Sequence, residues 1–206
     1  MYIPKLFKVD DTEKAKAFIQ ENGFGLLINQ VEGKPWATHI PLVIETNSNN
    51  ETILFGHIAK ANKQSKSFQE DQEVLVIFQG PHAYVSSSWY DHENVPTWNY
   101  AVVHVYGKIK MVDNETMYQQ LSKLVDKYES GSEKPVSVST MSSDMIKKEM
   151  CGIVGFEIHI TEIQAAEKLS QNRDEKNYNN IIADLEKKGD KDSLEVAAAM
   201  KNLKRK

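Results

Sequence analysis

The stretch Phe24-Gly25-Leu26-Leu27-Ile28-Asn29-Gln30-Val31, Glu32-Gly33-Lys34-Pro35, Trp36-Ala37-Thr38-His39-Ile40-Pro41-Leu42-Val43-Ile44 decides the architecture. Two apolar runs flank a short block of turn residues. A connection that short cannot carry a crossover, so the runs read as an antiparallel pair of strands. Outward from this hairpin the same grammar repeats. A polar loop from Glu45 to Glu51, with asparagines at 47, 49 and 50, leads into a strand over Thr52 to His57. Val74 to Gln79 is a short apolar strand that Gly80-Pro81 breaks, and Ala83 to Ser86 and Ala101 to Val112 follow. About six short strands at hairpin spacing favour an antiparallel barrel over a parallel sheet.

Helices frame the strands. Asp10-Asp11-Thr12-Glu13 supplies cap and early carboxylate signals, and Asn22-Gly23 a stop. Asn114 to Tyr128 sets Met117, Leu121, Leu124, Val125 and Tyr128 on one face. Ala59 to Gln69 is helix-compatible, residues 133–150 read as helical with loops, and Gly152 to Ile163 is a last strand. Two further helices, Asn177 to Lys188 and Ser193 to Lys204, have thin apolar faces and read as peripheral. The expected class is mainly β with helices, a β-barrel plus α. The expected domains are 1–165 for the barrel and 166–206 for a C-terminal segment packed on it or on a partner subunit.

Composition narrows the function. The 206 residues are 40% apolar with 10 glycines and 6 prolines, which fits a folded chain. A net charge of −4 argues against nucleic-acid binding by bulk electrostatics. The lone cysteine, Cys151, excludes a disulfide framework and reads as a buried structural thiol ahead of a strand. No apolar window is long enough for a membrane helix and the N-terminus has no apolar leader, so the expectation is a cytoplasmic protein with no membrane contact. The six histidines lack metal spacing, and no Walker or dinucleotide glycine motif occurs. No metal site is expected, and no catalytic residue can be assigned by spacing.

Three stretches carry chemistry. From Leu54 to Gln64 a strand ends at His57 and runs into a turn with Lys60, Asn62, Gln64 and small residues at Gly56, Ala59 and Ala61. That mixture suits an anion, because lysine brings charge and small residues let a phosphate reach backbone N–H groups. From chemistry alone an ordinary solvated turn into a helix is the simpler account of it. Gly80 to Tyr90 and Val95 to Tyr100 bring Trp89, Tyr90, Trp98 and Tyr100 into a loop with three serines and Asn99. So aromatic a loop covers a planar ligand, a partner subunit or its own core. Lys168 to Arg173 is a dense donor cluster, apt for a phosphate or a ring carbonyl edge, or simply a solvated loop.

Taken in order, Met1-Tyr2-Ile3-Pro4, Ala37-Thr38-His39-Ile40-Pro41-Leu42, Gly56-His57-Ile58-Ala59-Lys60-Ala61-Asn62, Gly80-Pro81-His82-Ala83-Tyr84-Val85-Ser86, Val95-Pro96-Thr97-Trp98-Asn99-Tyr100, Val103-His104-Val105-Tyr106-Gly107 and Lys168-Leu169-Ser170-Gln171-Asn172-Arg173 resemble the PaiB family of FMN-binding negative transcriptional regulators. The resemblance runs from residue 1 to about 190. It implies an FMN-binding split barrel with a C-terminal helical appendage, forming a homodimer with FMN between subunits. By that resemblance His57, Ala59, Lys60, Asn62 and Gln64 lie on the phosphate side. Thr38 and His39 sit beside the ring system, and Ser86, Trp98, Asn99 and Tyr100 line the ring or reach it from the partner. Lys168, Gln171, Asn172 and Arg173 form a closing segment. Lys63 and Ser87 depart from a pattern in which proline is common at both positions. The resemblance further implies repression of protease-production and sporulation genes, with DNA or a regulatory protein as partner. A basic run, Lys201 to Lys206, is the only such run and no DNA-binding motif accompanies it. A flavin-dependent oxidoreductase acting on a small molecule is the alternative, with His39, His82 and His104 as the proton donors to test.

Overall fold

A computed structural model of the chain describes residues 1–47 and 49–203. Ser48 of the polar loop and Lys204 to Lys206, most of the basic run, lie outside the described residues. The strands are β1 (Lys8–Val9), β2 (Phe24–Val31), β3 (Lys34–Thr46), β4 (Thr52–Ala59), β5 (Glu73–Val85), β6 (Thr97–Met111) and β7 (Ile153–Lys168). The helices are α1 (Thr12–Glu21), α2 (Lys63–Lys66), α3 (Asn114–Glu129), α4 (Ser143–Cys151), α5 (Glu175–Lys188) and α6 (Lys191–Asn202).

The opening hairpin forms β2 and β3, with Val31 opposite Lys34. Glu32 and Gly33 both take positive φ, 52° and 76°, the two-residue turn whose twist matches the strands it joins. Lys34 and Pro35, expected in the turn, therefore belong to β3. The hydrogen-bonded order is β1-β7-β4-β3-β2-β5-β6, and β6 pairs in addition with β7, so the antiparallel ladder closes on itself.

The chain divides into two compact units, and β5, β6 and β7 contribute residues to both. The first comprises Met1–Phe18, Phe78–His104 and the chain from Ile163 onward; the second comprises Ile19–Ile77 and Val105–Glu162. In the second unit, register places Leu27 opposite Val76, Leu42 opposite Gly56, and Gly56 opposite Phe156. These residues share one face, and Leu27, Val76, Leu42 and Phe156 are fully buried there. The other face carries Phe24, Leu26, Ile28 and His39 on β2 and β3, and it is half-buried to exposed. On β7 the helix α3 covers that outer face: Met117 Cγ lies 3.0 Å from where a Cβ on Gly155 would stand.

In the first unit α5 and α6 are not peripheral. Tyr178, Ile181, Ile182 and Leu185 of α5 and Val196, Ala197 and Met200 of α6 form one buried cluster with Ala83, Val85, Tyr90 and Leu169. Faces that read as thin suffice because the helices pack on each other as well as on the strand. Asp174 and Asp190 cap α5 and α6 by accepting from the N–H groups of Asn177 and Ser193.

Several expectations need correction. Gly80-Pro81 does not end a strand. β5 runs through it, while the buried positions change phase from Val74, Val76 and Phe78 to Ala83 and Val85. A local irregularity of that kind is where a sheet tolerates proline. Thr97 to Tyr100 is the start of β6, not loop, and β7 extends to Lys168. Ala59 to Gln69 contains only the single turn α2. Cys151 is exposed, because it ends α4 ahead of β7 instead of entering the strand. Tyr128, placed on the apolar face of α3, is 54% exposed.

Candidate functional site

Within the second unit the turn after β4 is built by its own side chains. Asn62 caps α2, its Oδ1 accepting from the Gln64 N–H at 2.9 Å, while its Nδ2 donates to Thr38 Oγ1 at 3.0 Å. Gln64 is fully buried, and its Nε2 donates to the Leu27 carbonyl at 3.1 Å and to Asn29 Oδ1 at 3.0 Å. Asn29 Nδ2 in turn donates to Ser67 Oγ at 3.1 Å, and that hydroxyl donates to the Gln64 carbonyl at 2.8 Å. The Gln64 Oε1 is buried without a partner among the described residues. Lys60 donates its backbone N–H to the Gly152 carbonyl at 2.9 Å and its ammonium to the Cys151 carbonyl at 2.7 Å. That is a cation on the last carbonyls of α4, the favourable end of a helix dipole for it. Ala59, exposed at the strand end, pairs with Ile153.

The same unit holds His57 and His39. His57 is half-buried, its Nδ1 has no partner among the described residues, and burial holds its pKa below the ordinary histidine value. His39 is exposed and stacks on Phe24, ring centroids 6.1 Å apart and planes 22° from parallel. Thr38, bonded to Asn62, and His39 are adjacent on β3 and so point to opposite faces.

Within the first unit the aromatic segment divides by strand alternation. Trp98 is 52% exposed while Asn99 is fully buried. Trp98 meets His82 at 6.0 Å and Tyr84 edge-on at 5.9 Å, so three aromatic side chains cluster with the indole open. Tyr100 is half-buried. Ser86 caps the 3₁₀ turn Ser87–Trp89, its Oγ accepting from the Ser88 N–H at 3.2 Å. Asn99 accepts from Ser170 Oγ at 2.9 Å and points its amide at Met200 Sδ, 3.5 Å away.

The segment following β7 is tightly turned. Ser170, buried, has φ of 58°, a conformation that side chains other than glycine's, asparagine's and aspartate's seldom adopt. Gln171 stitches the turn, Oε1 accepting from the Leu169 N–H at 2.7 Å and Nε2 donating to the Glu167 carbonyl at 2.6 Å. The Arg173 N–H closes it on the Ser170 carbonyl at 3.0 Å. Lys168 donates its ammonium to Thr97 Oγ1, the residue beside Trp98. Its pKa is held below the ordinary lysine value by burial and, next, by the charge of Arg173. Arg173 stacks over Tyr90, guanidinium carbon 4.9 Å from the ring centre, and the buried Tyr90 hydroxyl has no partner among the described residues. Asn172 is exposed.

Thus Thr38, Asn62 and Gln64 come together in the second unit, and Lys168, Thr97, Asn99, Ser170 and Trp98 in the first. Reading the sequence missed Asn29, Ser67, Tyr84, Thr97 and Ser170, and named His82 only as a proton donor to test. Asn29 carried a signal, being polar at a buried position of the alternation in β2; Ser170 carried none. Asp91 was also missed. It accepts from Asn177 Nδ2 at 2.9 Å and from the Lys176 ammonium at 2.8 Å, which with His92 holds its carboxyl well below the usual range and ties the aromatic segment to α5.

Known proteins match this chain along its length. Residues 1–162 match the family described as "Putative FMN-binding domain". The protease synthase and sporulation protein PAI 2 of Bacillus subtilis strain 168 is 45% identical over 202 residues, 98% of this chain and 97% of that protein. Among solved structures, the flavocytochrome Anf3 from Azotobacter vinelandii superposes with a TM-score of 0.59 at 18% identity, covering 84% of this chain and 75% of that one. The FAD and heme binding protein from Mycobacterium smegmatis gives 0.60 at 13% identity, covering 78% and 73%. Their likeness places the closed antiparallel ladder among split barrels. The chain belongs to the PaiB family, that of PAI 2.

Proposed function

We propose that this chain binds FMN and acts, as a cytoplasmic homodimer, as a negative regulator of the protease-production and sporulation type. The observation that carries the flavin reading is the open aromatic cluster of Trp98, Tyr84 and His82 beside the Lys168–Thr97 bond. The donor set fits the group. An exposed indole offers a face to a planar ring, two cations offer charge to a phosphate, and the orphaned Tyr90 hydroxyl is a further buried donor. When bound, FMN supplies redox chemistry; the residues here bind and orient it. In this reading Trp98, Tyr100, Ser86, Lys168, Asn172 and Arg173 of the first unit face the ligand, and Asn99 and Gln171 shape the backbone around it. In the second unit His39 is open to a ligand, while Thr38, His57, Ala59, Lys60, Asn62 and Gln64 shape the backbone of the turn after β4. Residues 1–165 are the flavin-binding domain and 166–206 its C-terminal segment.

The dimer reading is supported by the open outer face of β2 and β3, where Phe24 is 65% exposed although it is a large apolar residue. Sedimentation at micromolar concentration tests it: a monomer removes it. For the flavin, the test is the visible spectrum of the purified protein and a fluorescence titration with FMN. Yellow protein or saturable quenching is expected, and neither at high micromolar FMN defeats the reading. Regulation through DNA is tested by a mobility shift at low salt with the promoter of a protease gene. No shift redirects the reading to a protein partner, which suits the net charge of −4.

One observation favours the oxidoreductase alternative. His82 sits against Trp98 at the open cluster, where an imidazole can hold a proton near a bound ring. Anaerobic mixing of the flavin-loaded protein with NADH or NADPH decides it, since absorbance that stays at the oxidised level removes a reductase role.

A further inference from the structure

On the outer face of the second unit one titratable side chain stands in an apolar field. Register sets His39 opposite Leu26, Leu26 opposite Ile77, and Ile28 opposite Leu75, so these side chains share a face with Phe24. Leu26, Ile28, Leu75 and Ile77 are half-buried, while His39 is exposed with its ring stacked on the exposed Phe24. The charged groups of this face lie at its margins. Along β3 the alternation next brings a charge at Glu45, six residues on, and Lys123 of α3 is bonded to it at 2.9 Å. Along β5 it brings Glu73, four residues before Ile77, and β2 carries no charged side chain. α2, with Lys63 and Lys66, is joined to the other side of β3 through the bond from Asn62 to Thr38. A face without charge at its centre gives a charged partner nothing to grip and a second copy nothing to repel. A two-fold contact sets the same patch against itself, and closing it here buries His39. A neutral imidazole packs there as a flat ring. An imidazolium must leave water with no carboxylate of its own face beside it, which is costly.

We propose that the charge on His39 sets the strength of the homodimer: the neutral ring lets the two faces close, and protonation opens them. The inference rests on the dimer reading above and adds its regulation. A closed interface favours the neutral ring, so dissociation takes up protons. Affinity is therefore full above the ordinary histidine value of about 6.5 and is lost as pH falls through it. Each dimer holds two such rings, which steepens the dependence.

Sedimentation equilibrium of the full chain tests this at about pH 7.5 and about pH 6.0, at constant ionic strength, for wild type, His39→Gln and His39→Lys. Far-UV circular dichroism at both pH values checks that each chain stays folded. The wild-type dissociation constant is expected to rise roughly tenfold in the acidic sample, from two protons taken up per dimer. His39→Gln, neutral throughout, should dimerise at both pH values with constants that agree within about twofold. His39→Lys, charged throughout, should pair weakly at both. Each substitution replaces an exposed side chain and leaves the core untouched. Should acid unfold the chain, His39→Lys at neutral pH alone decides. A wild-type constant that ignores pH, a pH dependence that survives in His39→Gln, or a His39→Lys chain as tightly paired as wild type at neutral pH overturns the inference and leaves the dimer reading standing. A wild-type chain that is monomeric at neutral pH overturns both.

Discussion

Gln64 offers the sharpest test of which polar residues hold the fold and which face a ligand. Gln64→Glu keeps the side-chain shape and replaces one donor nitrogen by an acceptor oxygen. That oxygen would face the Leu27 carbonyl and Asn29 Oδ1, now 3.1 and 3.0 Å from the amide nitrogen. Two hydrogen bonds worth about 1 kcal/mol each are lost, and a carboxylate stands fully buried with acceptors around it. Rotating the Asn29 amide would supply a donor, but only by giving up its bond to Ser67. The destabilisation at neutral pH is therefore about 3–5 kcal/mol, a fall in melting temperature of roughly 6–20 °C for a chain of this size. The sign with pH follows from linkage. Burial raises the pKa of the new carboxyl above its unfolded value, so folding is penalised above that value and the deficit shrinks as the solution is acidified and the group becomes a protonated donor. Melting curves of wild type and variant at neutral and mildly acidic pH measure both effects. A variant that melts within about 2 °C of wild type at neutral pH, or a deficit that does not shrink in acid, refutes the framework role. A selective loss of FMN affinity at unchanged stability would return Gln64 to the ligand.

Three other outcomes are expected. His57 and His104 both have Nδ1 buried without a partner among the described residues and pKa values lowered by burial, so the folded chain favours their neutral forms; stability falls as pH drops below their ordinary value of 6.5, and His57→Phe should lose less melting temperature over that interval than wild type. In Gly107→Ala the new methyl carbon would stand 2.5 Å from the His159 carbonyl oxygen, a backbone atom that cannot turn aside; a loss of about 1–3 kcal/mol in urea unfolding is expected, against a near-neutral Gly131→Ala, where nothing lies within 4 Å. Leu185→Ala empties a fully buried position between α5 and its neighbours and should cost about 2–5 kcal/mol, whereas a change under about 0.5 kcal/mol would mean that the helical cluster forms little of the stability.

What could be read from the sequence, and what could not, follows from the range of the forces involved. The hairpin over residues 24–44 was legible because alternation and turn chemistry are local, and Val31 does lie opposite Lys34. α3 was legible for the same reason, through its 3.6-residue period. The strand continuing through Gly80-Pro81 was not, since a phase change in burial depends on neighbours distant in sequence. The weight of α5 and α6 was missed because each helix shows a narrow apolar stripe, and only their joint packing with Ala83, Val85 and Tyr90 makes a core. At the site the sequence supplied the donors but not their directions. Lys60, Asn62 and Gln64 formed an apt anion-binding set as residue types, yet two of their side-chain amides bond to strands β2 and β3. Ser170 was invisible beside the charged residues around it, although its φ of 58° and its bond to Asn99 fix the turn that leads from β7 into α5. A polar side chain reports its chemistry through its identity; whether that chemistry serves the fold or a ligand is decided by a partner that the sequence leaves far away.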